Sequence, residues 1–566
     1  MSRPLLILGV TLLLAACQPD ATRRSETSLV AVNAQAQHGF GPEISAEDFS
    51  AHVKVLSSDD FGGRAPGSAG EDKTVRYLQQ QMERLGLQPG NHGSYFQTVP
   101  MVATKVDAAA SKFRIDVAGQ SMTPVLGDEM VIGTHREQAE VKVADSPMVF
   151  VGYGVNAPEQ HWNDYAGLDV KGKTVVMLVN DPGFHVSDPD LFEGKRMTYY
   201  GRWTYKFEEA ARQGAAAAII IHDTAGAAYG WDVVKNSWGG EQFDLPAKDD
   251  PDPRLPVQGW MTGETAEKLF SAAHLDLAAL RIAANHIGFK PVALGDARFS
   301  VDLVSHIRWA QSRNVIGILP GSEHPDEAVV FSAHWDHLGT HPDEPGDNIY
   351  NGAVDNGTGV AGILEIAEAF TVQTPRPKRS LVFLFDTLEE SGLLGSKYYA
   401  AHPVIPLAKT VADINQDALV PIGPTRDFII VGKGNSDLDD LMQAIIEKQG
   451  RVVTAESKPQ NGSFFRSDHF SFAKAGVPAM DCQGGVDSIE HGHAWGEAAK
   501  DDYTAHRYHK AADNFDPNWD LRGIVQDLHA VYDLGKELAD SEQWPNYKPG
   551  NAFRAARDKS RSDAGQ

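Results

Sequence analysis

The sequence predicts an α/β fold in which a mixed, largely parallel sheet is covered by helices on both faces, with a β-rich domain inserted into it. After Pro291, apolar strands alternate with amphipathic helices, and nearly continuous apolar strands are typical of a sheet buried on both faces. Because ligands bind at the carboxyl ends of strands in such sheets, we expect the functional residues there. Strands are predicted at 328–334, 380–386, 410–416 and 427–432, and helices at 359–370 and 437–448.

Length and composition narrow the protein class. The 566 residues allow about two to four domains, and 42% hydrophobic with 22% charged residues is a globular composition, not that of a disordered or multi-span membrane protein. Asp and Glu total 76 against 51 Lys and Arg, so the net charge of −25 would repel phosphates and we expect no nucleic acid partner. Two cysteines cannot build a disulfide framework, so any metal site must use histidines and carboxylates.

Changes in pattern along the chain predict the domain boundaries. Two helical patterns flank the segment FGGRAPGSAG near the start, whereas the region before Pro291 has short apolar runs separated by Gly, Pro and Asp turns. The predicted segments are a signal peptide at 1–17, a flexible tether at 18–40, the first part of the main domain at 41–110, a β-rich insertion at 111–290, the rest of the main domain at 291–545 and a polar tail at 546–566.

The first residues are those of a secretory signal. Arg3 precedes an apolar run that is too short to span a bilayer stably, and the run ends in Leu-Ala-Ala-Cys17, which resembles the bacterial lipobox. The resemblance implies that Cys17 is lipidated. Gln18, rather than Asp, follows it, so the resemblance also implies an outer-membrane anchor with the protein body in the periplasm or at the cell surface. The alternative is ordinary signal cleavage with Cys17 incidental.

Histidines and carboxylates follow the predicted strands. Each residue alone has an ordinary explanation as a surface or core residue. Together, two imidazoles and three carboxylates suit two divalent cations, most naturally Zn²⁺, although Co²⁺ or Mn²⁺ would also fit, and one carboxylate could bridge both ions. A further glutamate then remains as a base. The candidates are His334, Asp355, Glu389, Glu390, Asp417 and His509.

Other histidines near these positions are assigned to loops. His337 and His341, with the nearby acidic residues Asp343 and Glu344, are expected in a mobile polar loop. The segment from His491 to Trp495 is expected to form a loop that shapes substrate access.

The order of these motifs resembles the di-zinc aminopeptidase family, which includes bacterial leucyl aminopeptidases and is related to glutamate carboxypeptidase and the transferrin receptor. The matching motifs, in order, are H-x-D, DNGTG, EESGLLGS, D, RSDH and YHKAAD. The resemblance is strong over about 300–540 and weak over 45–100. VGYGVNAP and GLDVKGKTVV in the insertion resemble the protease-associated domain that is often inserted in this family.

The resemblance implies a role for each candidate. His334 and Asp417 would hold one zinc, Glu390 and His509 the other, and Asp355 would bridge them. Glu389 would be the general base for a water between the two metals, which is chemically reasonable because two cations lower the pKa of that water.

Further residues would support the site. Asp336 is the natural acceptor to orient the His334 imidazole. Tyr508 matches the family tyrosine that donates to the oxyanion. Asn356 replaces the second member of the family's Asp-Asp pair, which is joined by a cis peptide, and should not affect ligation. Arg466 and Asp513 fall in matching motifs and are expected near the substrate or behind the ligands.

The resemblance implies an aminopeptidase that acts on peptides with a free N-terminus. A carboxypeptidase or dipeptidase of the same fold is an alternative, but it needs clustered cations and the sequence shows only scattered arginines, such as those at 426, 451 and 466. A non-catalytic, receptor-like relative would be expected to lose ligands. A single-zinc acyltransferase related to glutaminyl cyclase is disfavoured by the retained His334 and Asp417 and by the insertion.

Overall fold

The structure is a computed structural model, which describes residues 38–563. The predicted signal peptide, Cys17 and nearly all of the predicted tether lie outside these residues. Within the described part of the chain, no helix combines the length and apolar character needed to cross a membrane.

The larger sheet, here called the site sheet, is mixed. Its central strands Arg379–Asp386, His324–His334, Thr410–Asn415 and Ala479–Gly484 lie side by side in that order and run parallel. Antiparallel pairs extend both sides, through Asp427–Val431 at one and the end of the long strand Val292–Leu319 at the other. The remaining strands are Gln88–Pro89, Phe96–Val106, Gln242–Asp244 and Val452–Ala455.

Helices cover both faces of the site sheet, which confirms the predicted α/β class. Alternate side chains of the central strand point to opposite sides: Val329 and Phe331 pack in one core with Leu364 and Leu528, whereas Val330 packs in a second core. The first face carries helices Ala46–Leu56, Ala69–Arg84, Gly359–Thr371, Leu438–Lys448 and Arg522–Asp540, and the second carries Leu394–Ala401 and His469–Lys474.

A second sheet contains the first half of the same long strand. Val292–Leu319 pairs with Lys112–Val117 and Glu140–Phe150 near its start and with Phe96–Val106 and Arg379–Asp386 near its end. The other strands of this second sheet are Gln120–Met122, Met130–Gly133, Thr174–Leu178, Ala217–Ile221 and Val257–Met261. One uninterrupted strand therefore belongs to both sheets.

The remaining elements are the helices beside the second sheet, two short ribbons and one helix near the candidate site. Helices accompany the second sheet at Trp203–Arg212, Thr224–Ala227, Trp231–Gly239, Gly263–Ala272 and Leu277–Ala283. Two-stranded ribbons join Asn156–Ala157 to Trp162–Asn163 and Gly339–Thr340 to Ile349–Tyr350. Helix His493–His506 precedes the last candidate ligand.

The C-terminal segment, which was predicted to be a polar tail, packs on the main body up to residue 563. Helix Arg554–Asp563 buries Arg557, whose guanidinium donates to the carbonyl oxygens of Thr410 and Val411 at 3.0 and 3.2 Å. The Tyr547 hydroxyl donates to the Val477 carbonyl at 2.7 Å. These bonds fix the segment against the beginning of a central strand.

Arg64, in the segment FGGRAPGSAG, is a buried cation that joins three parts of the main body. Its guanidinium donates to the carbonyl oxygens of Trp335 at 2.8 Å, Leu56 at 2.9 Å, Asn351 at 2.6 Å and Gly352 at 2.9 Å. Burial lowers the pKa of Arg64 to about 10, although nearby carboxylates, including Asp355, oppose this. Arg64 therefore fixes the chain beside His334 and just before Asp355.

The glycine before Arg64 allows this close packing. Gly63 has φ +67°, and a Cβ atom there would lie 2.5 Å from the Gly339 carbonyl oxygen and 2.6 Å from that of Tyr350. A side chain at this position would push Arg64 away from the carbonyls that it binds.

We expect Arg64→Met to lower the free energy of unfolding by about 3–5 kcal/mol, because four buried carbonyl oxygens lose their charged donor. Urea denaturation followed by circular dichroism measures this. Arg76→Met is the control, because Arg76 is exposed on helix Ala69–Arg84. Equal stability of the two variants would contradict the role of Arg64.

Candidate metal centre

The candidate residues converge at the carboxyl ends of the central strands, as the sheet topology requires. His334 is the last residue of its strand, Glu389 and Glu390 follow the strand that ends at Asp386, and Asp417 follows the strand that ends at Asn415. Asp355 lies in the turn before helix Gly359–Thr371. His509 comes from a distant part of the chain, after helix His493–His506.

The first group of donor atoms is formed by His334, Asp355 and Asp417. His334 Nε2 lies 3.3 Å from Asp355 Oδ1 and 3.3 Å from Asp417 Oδ1. His334 and Asp355 are almost fully buried, with side chains 1% and 4% exposed. These three residues can hold one cation.

The second group uses the other oxygen of Asp355. His509 Nε2 lies 3.2 Å from Asp355 Oδ2 and 3.1 Å from Glu390 Oε2. His337 Nδ1 lies 2.6 Å from Glu390 Oε1, and His337, Asp355 and Glu390 also form a possible cation-binding group. Asp355 thus offers one oxygen to each group.

These donors fit two zinc ions. Two atoms bound at about 2.0–2.1 Å to one tetrahedral ion are roughly 3.3 Å apart, close to the observed nitrogen–oxygen spacings. Imidazole nitrogens with carboxylate oxygens are donors that zinc accepts. Several buried atoms near these donors also have no hydrogen-bond partner within the described residues, among them His337 Nε2 and Asp336 Oδ2. A positively charged ligand would satisfy such atoms.

His337 differs from its expected place in a polar loop. Its side chain is buried and its ring lies 5.9 Å, between centroids, from that of His509. In the sequence, the only indication that His337 belongs to the site is its position three residues after His334 in HWDH. The direction of the His337 side chain depends on the turn after the strand, which the sequence does not show. A Cβ atom on Gly352 would lie 2.6 Å from the His337 ring, so the turn before Asp355 packs directly on this imidazole.

Asp513 and Asn356 fix Asp355, the residue that the two donor groups share. Asp513 accepts from the backbone N–H groups of Val354 and Asp355, at 3.1 and 3.0 Å. Asn356 follows Asp355 through a cis peptide bond, and its side chain donates to the Gln416 carbonyl at 2.9 Å and accepts from the Ala418 N–H at 3.2 Å. Asn356 therefore ties the bridging turn to both neighbours of Asp417.

Asp336 lies behind the site, but with contacts that differ from those expected. His334 Nδ1 is 3.2 Å from the backbone carbonyl oxygen of Asp336 and 3.8 Å from its carboxylate. The carboxylate instead accepts from the Glu389 backbone N–H at 3.2 Å. Asp336 thus orients the histidine through its backbone and positions Glu389 through its side chain.

The charges of the site stabilise positive charge within it. Burial opposes protonation of His509, but the carboxylates of Glu390 and Asp355 raise its pKa to about 10. Burial alone would raise the pKa of Glu390, yet the facing His337 and His509 rings lower it to about 2. Burial raises the pKa of Glu389 well above its usual range, and the charges of Glu390 and Asp417 add to this. Glu389 is thus a carboxyl group that can hold a proton.

Tyr508 and Arg466 lie near the candidate metal centre. The Tyr508 ring stacks on His509 with centroids 3.8 Å apart. Burial raises the pKa of Tyr508, and the positive charge of Arg466 partly offsets this. The other two arginines noted in the sequence are occupied elsewhere: Arg426 pairs with Asp487 at 3.2 Å and Arg451 with Asp527 at 2.7 Å. Of these three arginines, only Arg466 has an electrostatic effect on Tyr508, the residue stacked on His509.

The segment His491–Trp495 lies at the surface and is a loop only at its start, because helix His493–His506 begins at its third residue. The His491 and Trp495 rings contact each other with centroids 4.5 Å apart, and Trp495 is 42% exposed. Its expected role in substrate access stays a prediction.

Part of the chain, including the candidate metal centre, is similar to known proteins. Residues 314–532 match the family model described as Peptidase family M28. Probable lipoprotein aminopeptidase LpqL of Mycobacterium tuberculosis is 28% identical over 235 residues, which are 38% of this chain and 44% of that protein. Probable leucine aminopeptidase 2 of Aspergillus oryzae is 30% identical over 245 residues, which are 40% and 45% of the two chains. The chain thus spans less than half of the length of these relatives.

Among solved structures, the aminopeptidase from Aneurinibacillus sp. strain AM-1 is similar with a TM-score of 0.44 and 20% identity, over 89% of this chain and 95% of that one. All residues of both donor groups lie within 314–532, the segment that matches the family model. The candidate metal centre therefore lies in the part of the chain that is similar to Peptidase family M28.

Proposed function

We propose that the protein is a zinc-dependent aminopeptidase that hydrolyses the first peptide bond of peptides with a free N-terminus. One observation carries the proposal: two groups of histidine and carboxylate donors share Asp355, and Glu389 lies beside them, 4.0 Å from His334 Nε2. The names of both relatives described above contain the word aminopeptidase, which supports the same activity.

His334, Asp417 and Asp355 would hold one zinc, and Glu390, His509 and Asp355 the other, with His337 behind Glu390. When bound, two zinc ions supply Lewis-acid polarisation of the peptide carbonyl and activation of water. Glu389 would take a proton from the attacking water and return it to the leaving amine, a task that suits a carboxyl group with a raised pKa. Tyr508 would donate to the carbonyl oxygen as negative charge develops on it.

The carboxylates of the site give a reason for acting at an amino terminus. Glu389, Asp355 and Asp417 can attract a free ammonium group and hold it beside the scissile bond. A neutral, blocked terminus would leave these groups without that partner, and burying them unpaired would cost free energy.

The cellular setting completes the proposal. An outer-membrane anchor through Cys17 is consistent with the lipobox-like segment. The name of the mycobacterial relative includes the word lipoprotein, which supports the same anchor. The body of the enzyme would then act in the periplasm or at the cell surface.

Metal analysis of the purified protein should give close to two equivalents of divalent metal, and prolonged treatment with a chelator should abolish activity. Asp355→Ala should lose both ions, because each group uses one of its oxygens. Elemental analysis measures the content. Asp343→Ala, in an exposed loop, is the control and should keep both ions. Full activity of the metal-free protein would contradict the proposal.

The two adjacent glutamates should differ when each is replaced by glutamine. Glu389→Gln should keep the metals and reduce kcat by about 10²-fold to 10⁴-fold, the usual contribution of a general base. Glu390→Gln should instead weaken metal binding, because Glu390 contacts His509 and His337. Steady-state kinetics and metal content distinguish them. Exchanged phenotypes would show that the roles are the reverse.

A peptide amide with a free N-terminus should be cleaved at least about 10²-fold faster than its N-acetyl counterpart, because only the former offers an ammonium group to the carboxylates. Mass spectrometry of the products identifies the released residue. Equal rates, or release of residues from the carboxyl end, would overturn the aminopeptidase assignment in favour of a carboxypeptidase.

A further inference from the structure

A cavity of about 490 Å³ lies beside the candidate metal centre. Its walls come from the end of the EESGLLGS motif, from the FRSDH motif and from the start of helix Trp203–Arg212, which packs with the second sheet. Gly392 and Leu393, which line it, follow Glu390 by two and three residues. The volume is in the range of small-molecule sites.

The cavity combines apolar walls with cations. Leu393, Phe465 and Phe470 supply apolar surface. Two lysines in the lining are already paired: Lys397 lies 2.6 Å from Asp250 and Lys474 lies 2.8 Å from Glu208. Both lysines also contact Asp252, at 2.8 and 2.7 Å. Their charge is therefore balanced within the protein.

Two arginines in the same lining are not balanced. Within residues 38–563, neither Arg202 nor Arg466 has a carboxylate at ion-pair distance, and Arg202 Nε is shielded from solvent without any hydrogen-bond partner. Burial, together with the like charge of Arg466, lowers the pKa of Arg202 to about 10. In a chain with a net charge of −25, two neighbouring arginines without a carboxylate are unusual. Arginine is the side chain best suited to bind a carboxylate through two parallel hydrogen bonds.

We propose that Arg202 and Arg466 form a subsite for a carboxylate on the residue that follows the scissile bond, so that the enzyme prefers substrates with an acidic group there. The proposal rests on the proposed aminopeptidase function. Two arginines repel the N-terminal ammonium, which the carboxylates near the metals attract, so the cavity must take the other side of the scissile bond. The carboxylate can be an acidic side chain or the free C-terminus of a dipeptide.

Two matched pairs of substrates distinguish these sources. Leu-Glu-amide against Leu-Gln-amide tests the side chain, and Leu-Ala against Leu-Ala-amide tests the terminal carboxylate. We expect kcat/KM to favour the acidic member of at least one pair by about tenfold or more. Arg202→Gln and Arg466→Gln should reduce that preference to about twofold or less through KM. Arg212→Gln, on the same helix but paired with Glu209, should keep it. Equal rates within both pairs, or a preference that survives in both variants, would overturn the proposal.

A binding measurement separates this subsite from the peptidase function. Glutarate should raise the melting temperature of the full-length protein, whereas its neutral counterpart glutaramide should not, and Arg466→Gln should abolish the shift. Arg466 is exposed, so this variant should fold even if Arg202→Gln does not. A glutarate shift without hydrolysis of any peptide would retain the subsite and reject the peptidase function. Hydrolysis of neutral peptides, with no glutarate shift and no preference for acidic substrates, would retain the peptidase function and reject the subsite.

Discussion

Negative charge buried at the ends of the central strands is the constraint on which the rest of the structure depends. Asp336, Asp355, Glu389 and Glu390 lie within one largely buried region, where a carboxylate is stable only when it is paired. Burial raises the pKa of Asp336 and Glu389, so these two groups favour a proton, whereas Asp355 and Glu390 depend on positively charged neighbours. Within the described residues, Arg64 and three histidines supply part of the balance. Arg64 donates its hydrogen bonds to backbone carbonyl oxygens, and its positive charge reaches the carboxylates only over a longer distance. His334, His337 and His509 contact the carboxylates directly. The proposed zinc ions would supply the remainder.

The same constraint explains why distant segments must meet. The carboxylates come from strand ends and from one turn, but the compensating groups come from residues 64 and 509, far away in the sequence. Asp513 extends the arrangement, because it holds the backbone on both sides of the bond between Val354 and Asp355. The position of Asp355 is thus set by hydrogen bonds to its own backbone, which favours a prearranged site.

The long strand Val292–Leu319 gives the second sheet its relation to the site. Because one strand pairs with Glu140–Phe150 at its start and with Arg379–Asp386 near its end, both sheets are connected through a continuous hydrogen-bonded ladder. The helix that carries Arg202 packs with the second sheet and lines the same cavity as Arg466. In the proposed subsite, the helix that carries Arg202 would contribute to substrate recognition without contributing a metal donor.

Local pattern was enough for the elements of the site sheet. The apolar run predicted as a strand at 328–334 is the end of His324–His334, and the helices predicted at 359–370 and 437–448 are Gly359–Thr371 and Leu438–Lys448. These segments are long, strongly apolar on the buried side and bounded by polar residues, so periodicity and the sheet class predict them. The motifs also indicated the acidic and histidine residues that the structure brings together.

Several contacts of the site could be known only from the tertiary structure, because sequence periodicity does not determine the direction of turns. The burial of His337, the four carbonyl groups around Arg64 and the backbone contact of Asp336 each depend on the direction of a turn. The facing of Arg202 and Arg466 depends on packing between segments more than 250 residues apart. The sequence by itself determined which residues are apolar, which can bind metal and in what order they occur, because these are properties of side chains and of local spacing. Which donors share an ion, and which arginines lack a carboxylate, was decided only by the folded chain, because pairing is a property of distances in space.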